Sequence, residues 1–145
     1  MIGNNIMEDY SFLDKVGLEL KRAERYSVFV SLVVFDLSFL EEHFGPDTAS
    51  IISRLSQETR NNVREIDVVS VVDDDKLVLL LPETPRQGAE MAGRRVRELL
   101  RDRLSGEEDD LSERVIPLEM ASYPDAAGAR SISDFLKEYS DQHRN

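Results

Sequence analysis

The stretch Val68-Val-Ser-Val-Val72, Asp73-Asp-Asp-Lys76, Leu77-Val-Leu-Leu-Leu81 constrains the fold of this chain more than any other. Two apolar runs joined by so short a link cannot lie parallel, because parallel neighbours need a crossover of a dozen or so residues. They must form an antiparallel hairpin with an acidic tip. Arg64-Glu-Ile-Asp67 leads into the first strand.

The rest of the chain alternates helices and strands around that hairpin. Phe12, Leu13, Val16, Leu20 and Ala23 recur at helical spacing and predict a helix over Ser11–Arg25, with Ser11 as its cap. Val28–Phe35 is β-branched or aromatic except for Ser31, which predicts a strand covered on both faces, with Asp36 at its end. Ile51, Ile52, Leu55, Thr59 and Val63 predict a second helix capped by Asp47 or Thr48. Pro85 suits the first position of a third helix, whose buried stripe is Ala89, Ala92, Val96, Leu99 and Leu100. Ser105–Ser112 reads as a loop, and Arg114–Ser122 as a strand that Pro117 confines to an edge or a bulge. Tyr123–Ala129 has turn chemistry, and Ser131–Tyr139 is a last amphipathic helix with Ile132, Phe135, Leu136 and Tyr139 inward. The order predicts an α/β (α+β) sandwich on a sheet with antiparallel pairs, not a doubly wound parallel one.

Length and composition narrow the function classes. With 145 residues, the chain is expected to be a single domain spanning 1–145. Without cysteine it has neither disulfides nor thiolate metal sites, and His43 and His143 have no metal-ligand spacing. No apolar run approaches the ~18 residues of a membrane span, and Met1–Asp9 lacks the basic and apolar regions of a signal peptide. Membrane insertion is therefore not expected, and a cytoplasmic location is. A net charge of −11 opposes nucleic acid and anionic lipid at long range.

Four stretches in order resemble the GGDEF (diguanylate cyclase) family. They are Leu18–Tyr26, Val30–Leu37, the gapless run Arg64–Thr84, and Met120–Asp125 followed by Ile132–Lys137. The likeness runs from about Phe12 to Tyr139 and implies the palm-like fold of nucleotide cyclases, with a central mixed sheet of about five strands flanked by helices. The family's usual final strand is expected to be missing, since the sequence stops at Asn145.

The resemblance also implies chemistry, and much of it is rewritten here. Such a cyclase needs divalent metal on two carboxylates, glycines beneath the phosphates, and residues that read guanine. Asp36 and Asp75 keep the metal positions. The glycines are Asp73 and Asp74, whose charges would each oppose a polyphosphate ~4–6 Å away by roughly a kcal/mol or more. The family's glutamate is Lys76 and its aromatic residue Leu77. Asp36-Leu-Ser38-Phe-Leu-Glu41 replaces the Asp-x-Asp-x-Phe-Lys run, and the guanine-reading asparagine has no counterpart. A catalytically inactive domain is expected, requiring no cofactor and holding Mg²⁺ weakly if at all. The plain alternative for Asp73–Asp75 is a solvated turn.

Arg64-Glu-Ile-Asp67 precedes the signature by five residues, the spacing of the family's inhibitory site. That site binds cyclic di-GMP: arginine donates bidentate hydrogen bonds and the carboxylate reads the guanine edge. A second arginine usually comes from the following helix, where Arg95, with Arg94 beside it, falls nearest the expected place. The plain alternatives are an Arg64–Asp67 ion pair or strand-start cap, and pairing of Arg94 with Glu90 and Glu98. Two functions follow: a non-catalytic cyclic di-GMP receptor, or a nucleotide-free scaffold that binds a signalling partner or a second copy of itself. Residual metal-dependent nucleotidyl chemistry is a third and disfavoured reading.

Overall fold

The computed structural model describes residues 2–105, 115–125, 128 and 130–142 of the chain. Its elements are α1 (Ile2–Tyr26), β1 (Val30–Asp36), α2 (Leu40–Phe44), a 3₁₀ turn (Gly45–Asp47), α3 (Thr48–Arg60), β2 (Val68–Val72), β3 (Lys76–Pro82), α4 (Arg86–Leu104), β4 (Leu118–Tyr123) and α5 (Ile132–Gln142). The strands lie in the order β2-β3-β1-β4, and each neighbouring pair is antiparallel. Among the described residues the sheet has four strands, where about five were expected.

The period-2 alternation of β1 builds both halves of the core. Leu32 and Val34 face a cluster with Phe12, Val16, Ala23, Phe135 and Tyr139 from α1 and α5. Val33 and Phe35 face the opposite cluster, with Ile52, Leu55, Val96, Leu100 and Leu104 from α3 and α4. The prediction of a central strand covered on both faces therefore holds, and the sandwich has a helical layer on each side of the sheet.

Local chemistry sets the element ends. At α5, Ser131 Oγ accepts from Asp134 N, and Asp134 Oδ2 accepts from Ser131 N, a reciprocal capping box. At the end of α1, Val28 N donates to Ala23 O while Ser27 takes a left-handed φ of 54°, the position that usually holds glycine. Asp47 precedes α3 but makes no side-chain cap; Thr48 Oγ1 donates instead to Gly45 O at 2.7 Å. Pro85 sits one residue earlier than expected, at the N-cap of α4 rather than its first position. The last predicted strand begins at Leu118, after Pro117, and β4 is an edge strand as expected. Helix α1 reaches back to Ile2, well before Ser11, and α2 with its 3₁₀ turn fills a stretch to which no element had been assigned. Most of the predicted loop Ser105–Ser112, part of the turn after Tyr123, and His143 lie outside the described residues.

Candidate functional site

One end of the sheet gathers the residues expected to bind metal. Asp36 closes β1 and lies directly opposite Lys76, the first residue of β3. The tip between β2 and β3 is tied to β1 by Leu37 N, which donates to Asp75 O at 2.8 Å. Asp73 and Asp74 both adopt left-handed backbone, with φ of 57° and 68°. Glycine enters that region without steric penalty, and aspartate is among the few other residues that tolerate it. The tip thus keeps a backbone suited to glycine while carrying two carboxylates.

The ammonium of Lys76 stands between the two candidate metal ligands. Its Nζ lies 2.7 Å from Asp75 Oδ1 and 3.5 Å from Asp36 Oδ1. Asp36 Oδ1 also accepts from Ser38 N at 2.9 Å. Burial pushes the Asp36 carboxyl up, but the Ser38 hydrogen bonds and the Lys76 charge outweigh it and hold it below the usual carboxylate range. Burial pulls Lys76 down, but the Asp75 hydrogen bond and the charges of Asp75 and Asp36 hold it above the usual lysine range. Magnesium requires about six oxygens near 2.1 Å in an octahedron. An ammonium in the same space repels it, and among the described residues no group of three or more acidic, histidine or cysteine side chains is placed for a metal. The residues present do not fit a divalent cation.

Beside the tip, between α3 and β2, lies a cavity of about 900 Å³. Serine hydroxyls, Arg60 and the acidic groups Glu41, Asp73, Asp74 and Asp75 line it. Arg60 Nη2 donates to Val69 O at 3.4 Å, and the buried Ser56 Oγ has no hydrogen-bond partner among the described residues. A phosphate about 5 Å from any one of these carboxylates meets a repulsion of about 1–3 kcal/mol.

At the opposite end of the hairpin, Arg64 and Asp67 form a closed clip. Arg64 Nε donates to both Asp67 oxygens at 3.2 and 3.1 Å, and Nη2 donates to Asp67 Oδ1 at 2.8 Å. The backbone joins in: Arg64 N donates to Asp67 Oδ2, and Asp67 N to Arg64 O. Arg64 Nη2 also donates to Thr84 Oγ1 at 2.6 Å and to Pro82 O at 3.1 Å. The Asp67 side chain is only 3% exposed, whereas that of Arg64 is half exposed. The hydrogen bond to Asp67 raises Arg64, burial opposes it, and the charges of Asp67 and Glu83 add to the rise.

Thr84 links this clip to the core, a role the sequence did not disclose. Ser31 Oγ, the one polar group noticed in β1, donates to Thr84 O at 2.8 Å. Its single proton is then used, so Ser122 donates to Ser31 Oγ across their 2.9 Å contact. A continuous network therefore runs from β4 through β1 and the β3–α4 junction to the start of β2.

On α4, Arg94 and Arg95 are exposed. The expected pairs of Arg94 do not form, because Glu90 is held by Arg86 and Glu98 by Arg101. The fold thus brings together Arg64, Asp67 and Thr84 at one place and Asp36, Asp75 and Lys76 at another. No described hydrogen bond or ion pair joins Arg94 or Arg95 to Arg64.

Comparison with solved structures identifies the fold as that of GGDEF diguanylate cyclase domains. Diguanylate cyclase SiaD of Pseudomonas aeruginosa, solved with its activator SiaC, superimposes with a TM-score of 0.68 at 17% identity over 93% of this chain. This chain spans 52% of that one, about half its length. The FimX GGDEF domain of the same organism gives 0.65 at 15% identity, covering 93% of this chain and 85% of its own. The GGDEF domain of DgcB from Caulobacter crescentus, solved with c-di-GMP, gives 0.59 at 12% identity, covering 93% and 81%. No family model and no curated protein matches the chain. The likeness is one of fold, so function rests on the side chains.

Proposed function

We propose that this chain is a degenerate, catalytically inactive GGDEF-like domain that acts by binding rather than by turnover. The observation that carries the reading is the Lys76 ammonium between Asp36 and Asp75. A cyclase of this fold would need divalent metal there and room for phosphates above the tip. Here the metal position is filled by a fixed cation and the phosphate position is lined by Asp73 and Asp74. Incubation with GTP and Mg²⁺ or Mn²⁺ tests this directly: no cyclic product is expected, and measurable product would overturn the reading.

The ligand is cyclic di-GMP, held by Arg64 and Asp67 with Arg95, and Arg94 alongside. The spacing of Arg64 and Asp67 to the hairpin supports this, as does the failure of Arg94 to pair with Glu90 or Glu98. To bind, Arg64 must release part of its clip. A second reading, a nucleotide-free module for a signalling partner or a second copy, is favoured by one observation: Arg64 spends Nε and Nη2 on internal acceptors and leaves Asp67 buried. Calorimetric titration with cyclic di-GMP separates the two. Micromolar binding, abolished by Arg64→Ala and weakened by Arg95→Ala, is the expected result. Absence of heat at millimolar ligand removes the receptor and leaves the scaffold.

A further inference from the structure

We propose that Lys76 is a built-in cation: its ammonium takes the place of a divalent metal between Asp36 and Asp75 and makes the hairpin tip independent of metal. The register supplies the first support. Asp36 and Lys76 are direct cross-strand partners, so their side chains leave the sheet on the same face, and Asp75 follows from the turn. The contacts supply the second. Nζ is within hydrogen-bond distance of Asp75 Oδ1 at 2.7 Å and in ion-pair contact with Asp36 Oδ1 at 3.5 Å.

The backbone supplies the third. Ser38 N on Asp36 Oδ1 holds that carboxylate, and Leu37 N on Asp75 O anchors the main chain that carries the Asp75 carboxylate, so the cation meets one fixed acid and one whose backbone is tied to β1. One positive charge among the carboxylates of Asp36 and Asp75 leaves the cluster net negative. Removing the ammonium alone therefore leaves two neighbouring carboxylates with uncompensated charge, the donor type that hard divalent cations take.

This inference rests on the same lysine as the non-catalytic reading, and one experiment separates their failures. The full chain is labelled with ¹⁵N and titrated with MnCl₂, whose unpaired electrons broaden nearby amide signals. In the wild type, the amides of Asp36, Ser38, Asp75 and Lys76 should broaden no more than those of exposed acidic residues elsewhere. In Lys76→Gln they should broaden selectively, with Mn²⁺ binding tighter by about tenfold or more. In the Asp36→Asn/Lys76→Gln double variant the gain should vanish. Selective broadening of these amides in the wild type would overturn the inference, whether or not the variants fold. So would a folded Lys76→Gln that gains no Mn²⁺. GTP turnover by the wild type would overturn the non-catalytic reading, whereas Mn²⁺ at these amides without turnover would overturn only the present one.

Discussion

Replacing Arg64 with alanine should destabilise the domain by about 2 kcal/mol, because the clip it forms leaves behind a carboxylate with little access to water. Asp67 would lose the Nε and Nη2 donors and keep only Arg64 N, which survives in the variant at 2.9 Å. Hydrogen bonds to a charged partner contribute about 1.5–3 kcal/mol net. Breaking a fully buried pair costs about 3–5 kcal/mol, but the Arg64 side chain is 50% exposed, so solvent screens its share and water replaces part of it. The neighbouring acceptors add little, since Thr84 Oγ1 still donates to Pro82 O at 2.9 Å. For a domain of this size ~2 kcal/mol corresponds to roughly 6–8 °C in Tm. Urea and thermal unfolding followed by circular dichroism at pH 7 measure it, and a cycle with Asp67→Asn isolates the coupling. A loss below about 0.5 kcal/mol, or a coupling near zero, would refute the view that this pair is structural. A loss of ~2 kcal/mol lies within the ordinary stability of a domain, so the variant should remain folded as a control for ligand titration.

Other expectations follow from the same contacts. Ser31→Ala should cost about 1–2 kcal/mol by urea unfolding, because it strands the buried Ser122 hydroxyl and the Thr84 carbonyl. Asp74→Gly should stabilise by about 0.5–1 kcal/mol, since residue 74 sits at a φ of 68° where glycine has no Cβ penalty; a loss of stability would mean that the carboxylate itself holds the tip. Ser27→Gly, at a φ of 54° past the end of α1, should raise the melting temperature for the same reason. The contribution of the Lys76 cluster should depend on pH at both extremes. Asp36 is held below its ordinary 3.8, so its stabilisation is present above that value and is lost as pH falls through the lower folded value. Lys76 is held above its ordinary 10.5, so its stabilisation is present below that value and is lost as pH rises through the higher folded value. The stability difference between wild type and Lys76→Met should therefore be flat across the neutral range and shrink at both ends; a difference that widened in acid would contradict the ion cluster.

Much of the architecture was legible because hydrophobic periodicity is a local property. The alternation and apolar density of Val30–Phe35 and the short link after Val72 dictate a doubly covered strand and an antiparallel hairpin whatever surrounds them. Helix α2 was not legible, because five residues are too few to show a period. The start of α1 was missed because Gly3, Asn4 and Asn5 are weak helix formers, although Ile2, Ile6 and Tyr10 recur at helical spacing.

Side-chain partnership is a different kind of information. From the sequence, Lys76 is only a reversed charge beside Asp75. Pairing β1 with β3 in register puts it against Asp36 as well and turns a substitution into an internal cation. Arg64 and Asp67 are visible as a spacing, but whether the guanidinium turns outward or inward depends on Thr84 and Pro82, 20 and 18 residues away. Residue types, element order and the pairing within the hairpin are written along the chain. Which donor meets which acceptor is decided only when distant segments close on one another, because hydrogen bonds and ion pairs act over a few ångströms of space rather than along the sequence.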